Sequence, residues 1–66
     1  MKNNLEIKVK ESGMSKVEFA KKAKISLMSY YRYEKGERVP NIETAQRIAQ
    51  ALGVKVDDLY PVNDTA

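Results

Sequence analysis

Apolar residues recur along the chain at 3- and 4-residue steps in short stretches, each closed by a breaker. Gly13, the turn at Lys24, the connector from Gly36 to Pro40, Gly53 and Pro61 divide the sequence into pieces of 7–12 residues. That spacing predicts four or five helices and no strands, an all-α chain. The clearest pattern is Ile42, Ala45, Ile48, Ala49 and Leu52, between a capping Asn41 and a terminating Gly53. Upstream, Ser15 and Glu18 have the spacing of a capping box, and Met14 and Phe19 that of a hydrophobic staple. Ser26 caps the next helix, Ile25 and Tyr30 form its staple, and Gly36 ends it. Val54, Val56, Leu59 and Tyr60 predict a last short helix, with Asp57 and Asp58 favourably placed in its first turn and Pro61 beyond. The first piece reads two ways. Leu5, Ile7 and Val9 alternate with charged residues as in a strand, whereas Leu5 and Val9 share one helical face behind a possible Asn4 cap. A lone short strand lacks a partner, so the piece is assigned as helix.

Placing one residue every 100° around the third helix separates its two sides. Ser29, Tyr30 and Tyr33 fall with Ser26 on the side of the staple and are expected to face the core. Met28, Tyr31, Arg32 and Lys35 fall opposite, with Leu27 and Glu34 on a flank. An outward face that carries Met, Tyr, Arg and Lys is unusual for a merely solvated surface, since it exposes large apolar groups beside two cations.

Composition narrows what that face is for. The chain has 66 residues, 42% hydrophobic and 32% charged, with a net charge of +3. This suits one small domain over 1–66, with a core over about 5–60 and a loose tail over 61–66. It contains neither cysteine nor histidine. Disulfides, thiolate metal sites and the usual general base are therefore excluded, and no cofactor, metal or enzymatic activity is expected. No run approaches the ~20 apolar residues of a membrane span, and the start lacks a secretory h-region, so the cytoplasm is the expected location. Charge is uneven: residues 1–40 hold ten Lys/Arg against five acids, and residues 41–66 hold two against four. A basic N-terminal part suggests a face that meets a polyanion, or else an ordinary lysine-rich surface.

In a DNA major groove each residue of the outward face has a use. Arg32 can donate two parallel hydrogen bonds to guanine O6 and N7, while Leu27 and Met28 can make only apolar contacts, best satisfied by thymine methyls. Tyr31 can do either or bond a phosphate, and Lys35 lies far enough along the helix to meet one. The competing reading is a protein-interaction module that uses the Leu27, Met28 and Tyr31 surface on a partner.

Ala20, the turn four residues later, and then Ile25, Tyr30 and Tyr33 resemble the register of the Cro/cI-type (XRE-like) helix-turn-helix family. So does the wider frame. It includes Gly13-Met14-Ser15, Phe19-Ala20, Ile25-Ser26, Glu34-Lys35-Gly36, the Arg38–Pro40 connector, Ile48 to Val54, and Asp58-Leu59-Tyr60, covering roughly residues 5–60. The resemblance implies a compact five-helix bundle of the phage-repressor type. It implies a transcriptional regulator, most often a repressor, that binds two-fold operators in double-stranded DNA as a homodimer. By position it assigns base contacts to Leu27, Met28, Tyr31 and Arg32. Phosphate contacts fall to Lys16, Ser26, Ser29, Lys35, Arg38 and Asn41; the last stands at a helix N-terminus whose free amides favour an anion. The surplus apolar Val56, Leu59, Tyr60 and Val62 are the expected dimer interface, or else they close the core.

Several positions depart from the family, among them Lys8 at a usually apolar position and Leu27 and Met28 in place of the usual polar readers. Lys16 stands where glutamine is frequent, and is expected to neutralise phosphate without bridging to the recognition helix as an amide can. Lys24 stands where glycine usually makes the turn. A left-handed lysine costs about 1 kcal/mol or more, which predicts a reshaped turn. Val9 replaces an arginine that often faces the glutamate equivalent to Glu34.

Overall fold

In a computed structural model, residues 3–60 are described, and they form five helices in the order α1 (Leu5–Ser12), α2 (Lys16–Ala23), α3 (Leu27–Lys35), α4 (Ile42–Leu52) and α5 (Val56–Leu59). No strand occurs among the described residues. No helix among them is long and apolar enough to cross a membrane.

Caps set the boundaries. The Ser15 hydroxyl accepts from the Glu18 amide at 3.1 Å while the Ser15 amide donates to Glu18 Oε1 at 3.0 Å, a complete capping box. The Ser15 amide, and then its hydroxyl, holds the Glu18 carboxyl below its ordinary pKa. Ser26 and Asn41 accept from the amides of Ser29 and Thr44 at the starts of α3 and α4. At α5 the Asp58 carboxylate reaches back to the Lys55 amide at 3.1 Å.

The first piece is helical, with Leu5 and Val9 buried and Ile7 left 54% exposed. Its alternation was therefore a false strand signal: burial follows the four-residue step, and Ile7 simply faces solvent. Asn4 does not cap α1 with its side chain. Asn3 Oδ1 accepts from the Leu5 amide instead, at 3.0 Å, and Asn3 Nδ2 donates to the Tyr33 carbonyl at 2.8 Å. Asn4 is turned toward α5, donating from its side chain to the Asp58 carbonyl and from its amide to the Leu59 carbonyl. The two asparagines thus tie the start of the chain to the ends of α3 and α5.

The turn between α2 and α3 is not reshaped. Lys24 adopts φ 60° and ψ 43°, and its amide closes α2 on the Ala20 and Lys21 carbonyls. It is the only non-glycine with positive φ among the described residues. The αL cap is the geometry that lets Ile25 turn back onto the core, and the chain keeps it with lysine despite the steric cost.

Leu5, Phe19, Tyr30, Ile48 and Leu59 are the largest fully buried side chains, so every helix contributes one to a shared core. Phe19 and Tyr30 meet edge to face, with centroids 5.6 Å apart, and fix α3 against α2. Leu59 belongs to this core and cannot serve as an association surface: it is 0% exposed within its own chain. Val56 and Tyr60 pack against the core yet stay half-exposed. Val62 and the tail assigned to 61–66 lie outside the described residues.

Candidate nucleic-acid interface

Helix α3 has two unlike sides. Tyr30 and Tyr33 are buried, with Ser29 half-buried beside them. Opposite, Met28, Tyr31, Arg32 and Lys35 are all exposed, Met28 at 67% and Tyr31 at 39%. Leu27 and Glu34 lie between the two, each half-buried. Leu27, Met28, Tyr31, Arg32, Lys35 and the connector residue Glu37 line one shallow concavity. The four residues assigned to base contacts are therefore contiguous on one open face.

The face is held from behind by a charged cluster. Lys16, the first residue of α2, places its ammonium 2.9 Å from Glu34 Oε1 and 3.3 Å from Glu6 Oε2. The Tyr30 hydroxyl donates to the same Glu34 oxygen at 2.8 Å. The Lys16 ammonium also lies 5.4 Å from the centre of the Tyr31 ring, and Tyr31 meets Tyr30 edge to face at 5.6 Å. The Glu34 side chain is only 12% exposed. Burial alone pushes its carboxyl up, but the Lys16 and Tyr30 hydrogen bonds outweigh that and hold its pKa below the ordinary value. Glu34 in turn raises the Lys16 ammonium above its ordinary pKa, and burial followed by Glu34 pushes the Tyr30 phenol far up.

This overturns the expectation that Lys16 makes no bridge to the recognition helix. It makes one by charge, and it supplies the cation for Glu34 that Val9 cannot. Sequence spacing alone conceals the pairing, because Lys16 and Glu34 are 18 positions apart and meet only once α2 and α3 have packed.

The other expected phosphate contacts are disposed differently. Lys35 and Arg38 are exposed and, like Arg32, belong to no ion pair among the described residues. Asn41 is exposed at the start of α4, but its side-chain oxygen is committed to the Thr44 amide. The Ser26 hydroxyl caps α3 and donates to Ser29 Oγ at 2.9 Å. A residue that the sequence reading missed is Asn3, which braces α3 from the Tyr33 carbonyl. A lone asparagine ahead of an ambiguous helix carries no signal of a bond 30 residues away.

Residues 5–59 match the family model described as "Helix-turn-helix". The chain belongs to this helix-turn-helix family. Its helix-turn-helix consists of α2, the Lys24 turn and α3. Among similar proteins is the cryptic phage CTXphi transcriptional repressor RstR of Vibrio cholerae serotype O1, 36% identical over 59 residues. That match covers 89% of this chain and 53% of the repressor, so the chain spans about half the length of that relative. Another is the HTH-type transcriptional regulator MJ0272 of Methanocaldococcus jannaschii, 31% identical over 64 residues and 97% of both chains.

Proposed function

We propose that the chain is a sequence-specific transcriptional repressor that binds a two-fold operator as a homodimer, with α3 in the major groove. The observation that carries this is the outer face of α3, where Arg32 and Lys35 stand exposed beside Met28 and Tyr31, with no ion pair among the described residues. Arg32 reads a guanine edge, and Leu27, Met28 and Tyr31 make the remaining base contacts. Lys35 and Arg38 neutralise phosphates, assisted by the Ser26 and Ser29 end of α3 and by the N-terminus of α4 at Asn41. Lys16 contributes a phosphate contact only to the extent that DNA draws it from Glu34.

The second copy docks on Val56 and Tyr60, whose side chains share an apolar groove with Val39, Pro40 and Ile42. Ile42 and Val39 are 78% and 58% exposed. The Tyr60 hydroxyl is buried without a hydrogen-bond partner among the described residues, a cost that a docking partner could relieve. Selection from random duplex DNA tests the reading. It should yield half-sites about 34 Å apart, one helical turn centre to centre. No site bound about tenfold better than random DNA would sink the proposal and leave the α3 face to a protein partner.

A further inference from the structure

In the first turn of α3 the two serine side chains are engaged with each other and with the backbone. The Ser26 oxygen accepts from the Ser29 amide, and the two hydroxyls bond each other at 2.9 Å. What remains to face a base edge there is apolar: Leu27, half-buried, and Met28, 67% exposed. Tyr31 walls the same concavity and is prepositioned, its ring held by the Lys16 ammonium at 5.4 Å and by Tyr30 at 5.6 Å. Arg32, Lys35 and Glu37 line the end nearer the helix C-terminus.

The major groove offers one apolar group to such a surface, the C5-methyl of a pyrimidine, present on thymine and absent from cytosine unless it is methylated. Met28 and Arg32 are four residues apart on one face. That places them about 6 Å apart along the helix axis, or about two base steps. We propose that Leu27, Met28 and Tyr31 form a reader of pyrimidine C5-methyl groups, set within about two base pairs of the guanine that Arg32 contacts. This rests on the proposed binding of α3 in the major groove. Operator affinity then depends on a methyl group as well as on hydrogen bonds, and thymine and 5-methylcytosine are equivalent sources of that methyl.

The experiment starts from the duplex that the full chain selects from random DNA. Each thymine is replaced singly by uracil, which removes the methyl and leaves the hydrogen-bonding edge unchanged, and affinity is read by fluorescence anisotropy. At the Met28 position the loss should be about fourfold, the fold-change that corresponds to one buried methyl. Met28→Ala should bring the thymine duplex down to the uracil level and cancel the difference there, while leaving uracil effects outside the α3 footprint untouched. Met28 is largely exposed, so this substitution does not open the core. In a second arm the sensitive thymine becomes cytosine or 5-methylcytosine, each paired with guanine. Tighter binding of the methylated form supports the equivalence of the two sources; equal binding of the two overturns that equivalence. Uracil tolerated at every position, or a uracil penalty that survives each of Met28→Ala, Leu27→Ala and Tyr31→Ala, overturns the methyl reader while leaving DNA binding intact. If no site is selected at all, both readings fall.

Discussion

The Lys16 ammonium lies between Glu34 and Glu6 and touches the Tyr31 ring, so one side chain links three helices. The pKa directions give this link a pH window. Glu34 is held below its ordinary 4.5, so its contribution to stability is complete above 4.5 and is lost as pH falls through the folded-state value. Lys16 is raised above 10.5, so its contribution is complete below 10.5 and is lost as pH rises through the folded-state value. Glu34→Gln should therefore lower the unfolding midpoint at neutral pH. Its deficit should shrink once the medium is acidic enough to protonate Glu34 in the folded wild type; thermal denaturation followed by circular dichroism across pH checks this. A deficit constant with pH would mean that the carboxylate's charge plays no part. Tyr30→Phe removes the other donor to Glu34 from a fully buried ring and should cost about 1 kcal/mol without changing the core shape. Lys24 offers the opposite sign. Its φ of 60° strains a lysine but not a glycine. Lys24→Gly should stabilise by about 0.5–1 kcal/mol, the relief of strain exceeding the added freedom of the unfolded chain. A midpoint that falls would show the left-handed turn to be unstrained.

At the scale of helices, α3 was the most legible element because its determinants are local. Ser26 and Gly36 bracket it, and the 3.6-residue period alone assigns Tyr30 and Tyr33 inward and Met28, Tyr31, Arg32 and Lys35 outward, as burial bears out. The capping box of α2 and the Asn41 cap of α4 were readable for the same reason. What remained hidden depends on partners distant in sequence. The Asn3 bond to Tyr33 and the Lys16 bridge to Glu34 form only after helices pack, and α1 was ambiguous because Ile7 is an apolar residue that the fold leaves wet. The two roles assigned to α3 and its connector separate by mutation. Arg32→Ala should relax discrimination at one base position and cost about 1–3 kcal/mol there. Lys35→Ala and Arg38→Ala should weaken all sequences alike, each reducing the slope of log affinity against log salt by about 0.9. Titrations at several salt concentrations distinguish them; a base-selective loss for Lys35→Ala would reassign that residue.

At the scale of the whole molecule, the question is what the groove between the connector, α4 and α5 is for. Leu59 answers a different question from its neighbours: it is fully buried in its own chain, so Leu59→Ala should destabilise the fold itself by about 2–5 kcal/mol. Ile42 is the better probe, because at 78% exposure it contributes little to the monomer core while lining the groove with Val56 and Tyr60. If a second copy covers this groove, Ile42→Gln should leave the unfolding midpoint nearly unchanged at concentrations too low for association, and shift sedimentation equilibrium toward monomer at higher ones. Because Ile42 follows the candidate phosphate contact at Asn41, the DNA arm must separate association from contact. A duplex with one half-site should bind the variant about as well as wild type, whereas a two-half-site operator should lose the steep, cooperative isotherm. A variant that weakens the single half-site equally would move Ile42 from the dimer face to the DNA face. Unchanged association and unchanged cooperativity together would remove this groove from the dimer altogether.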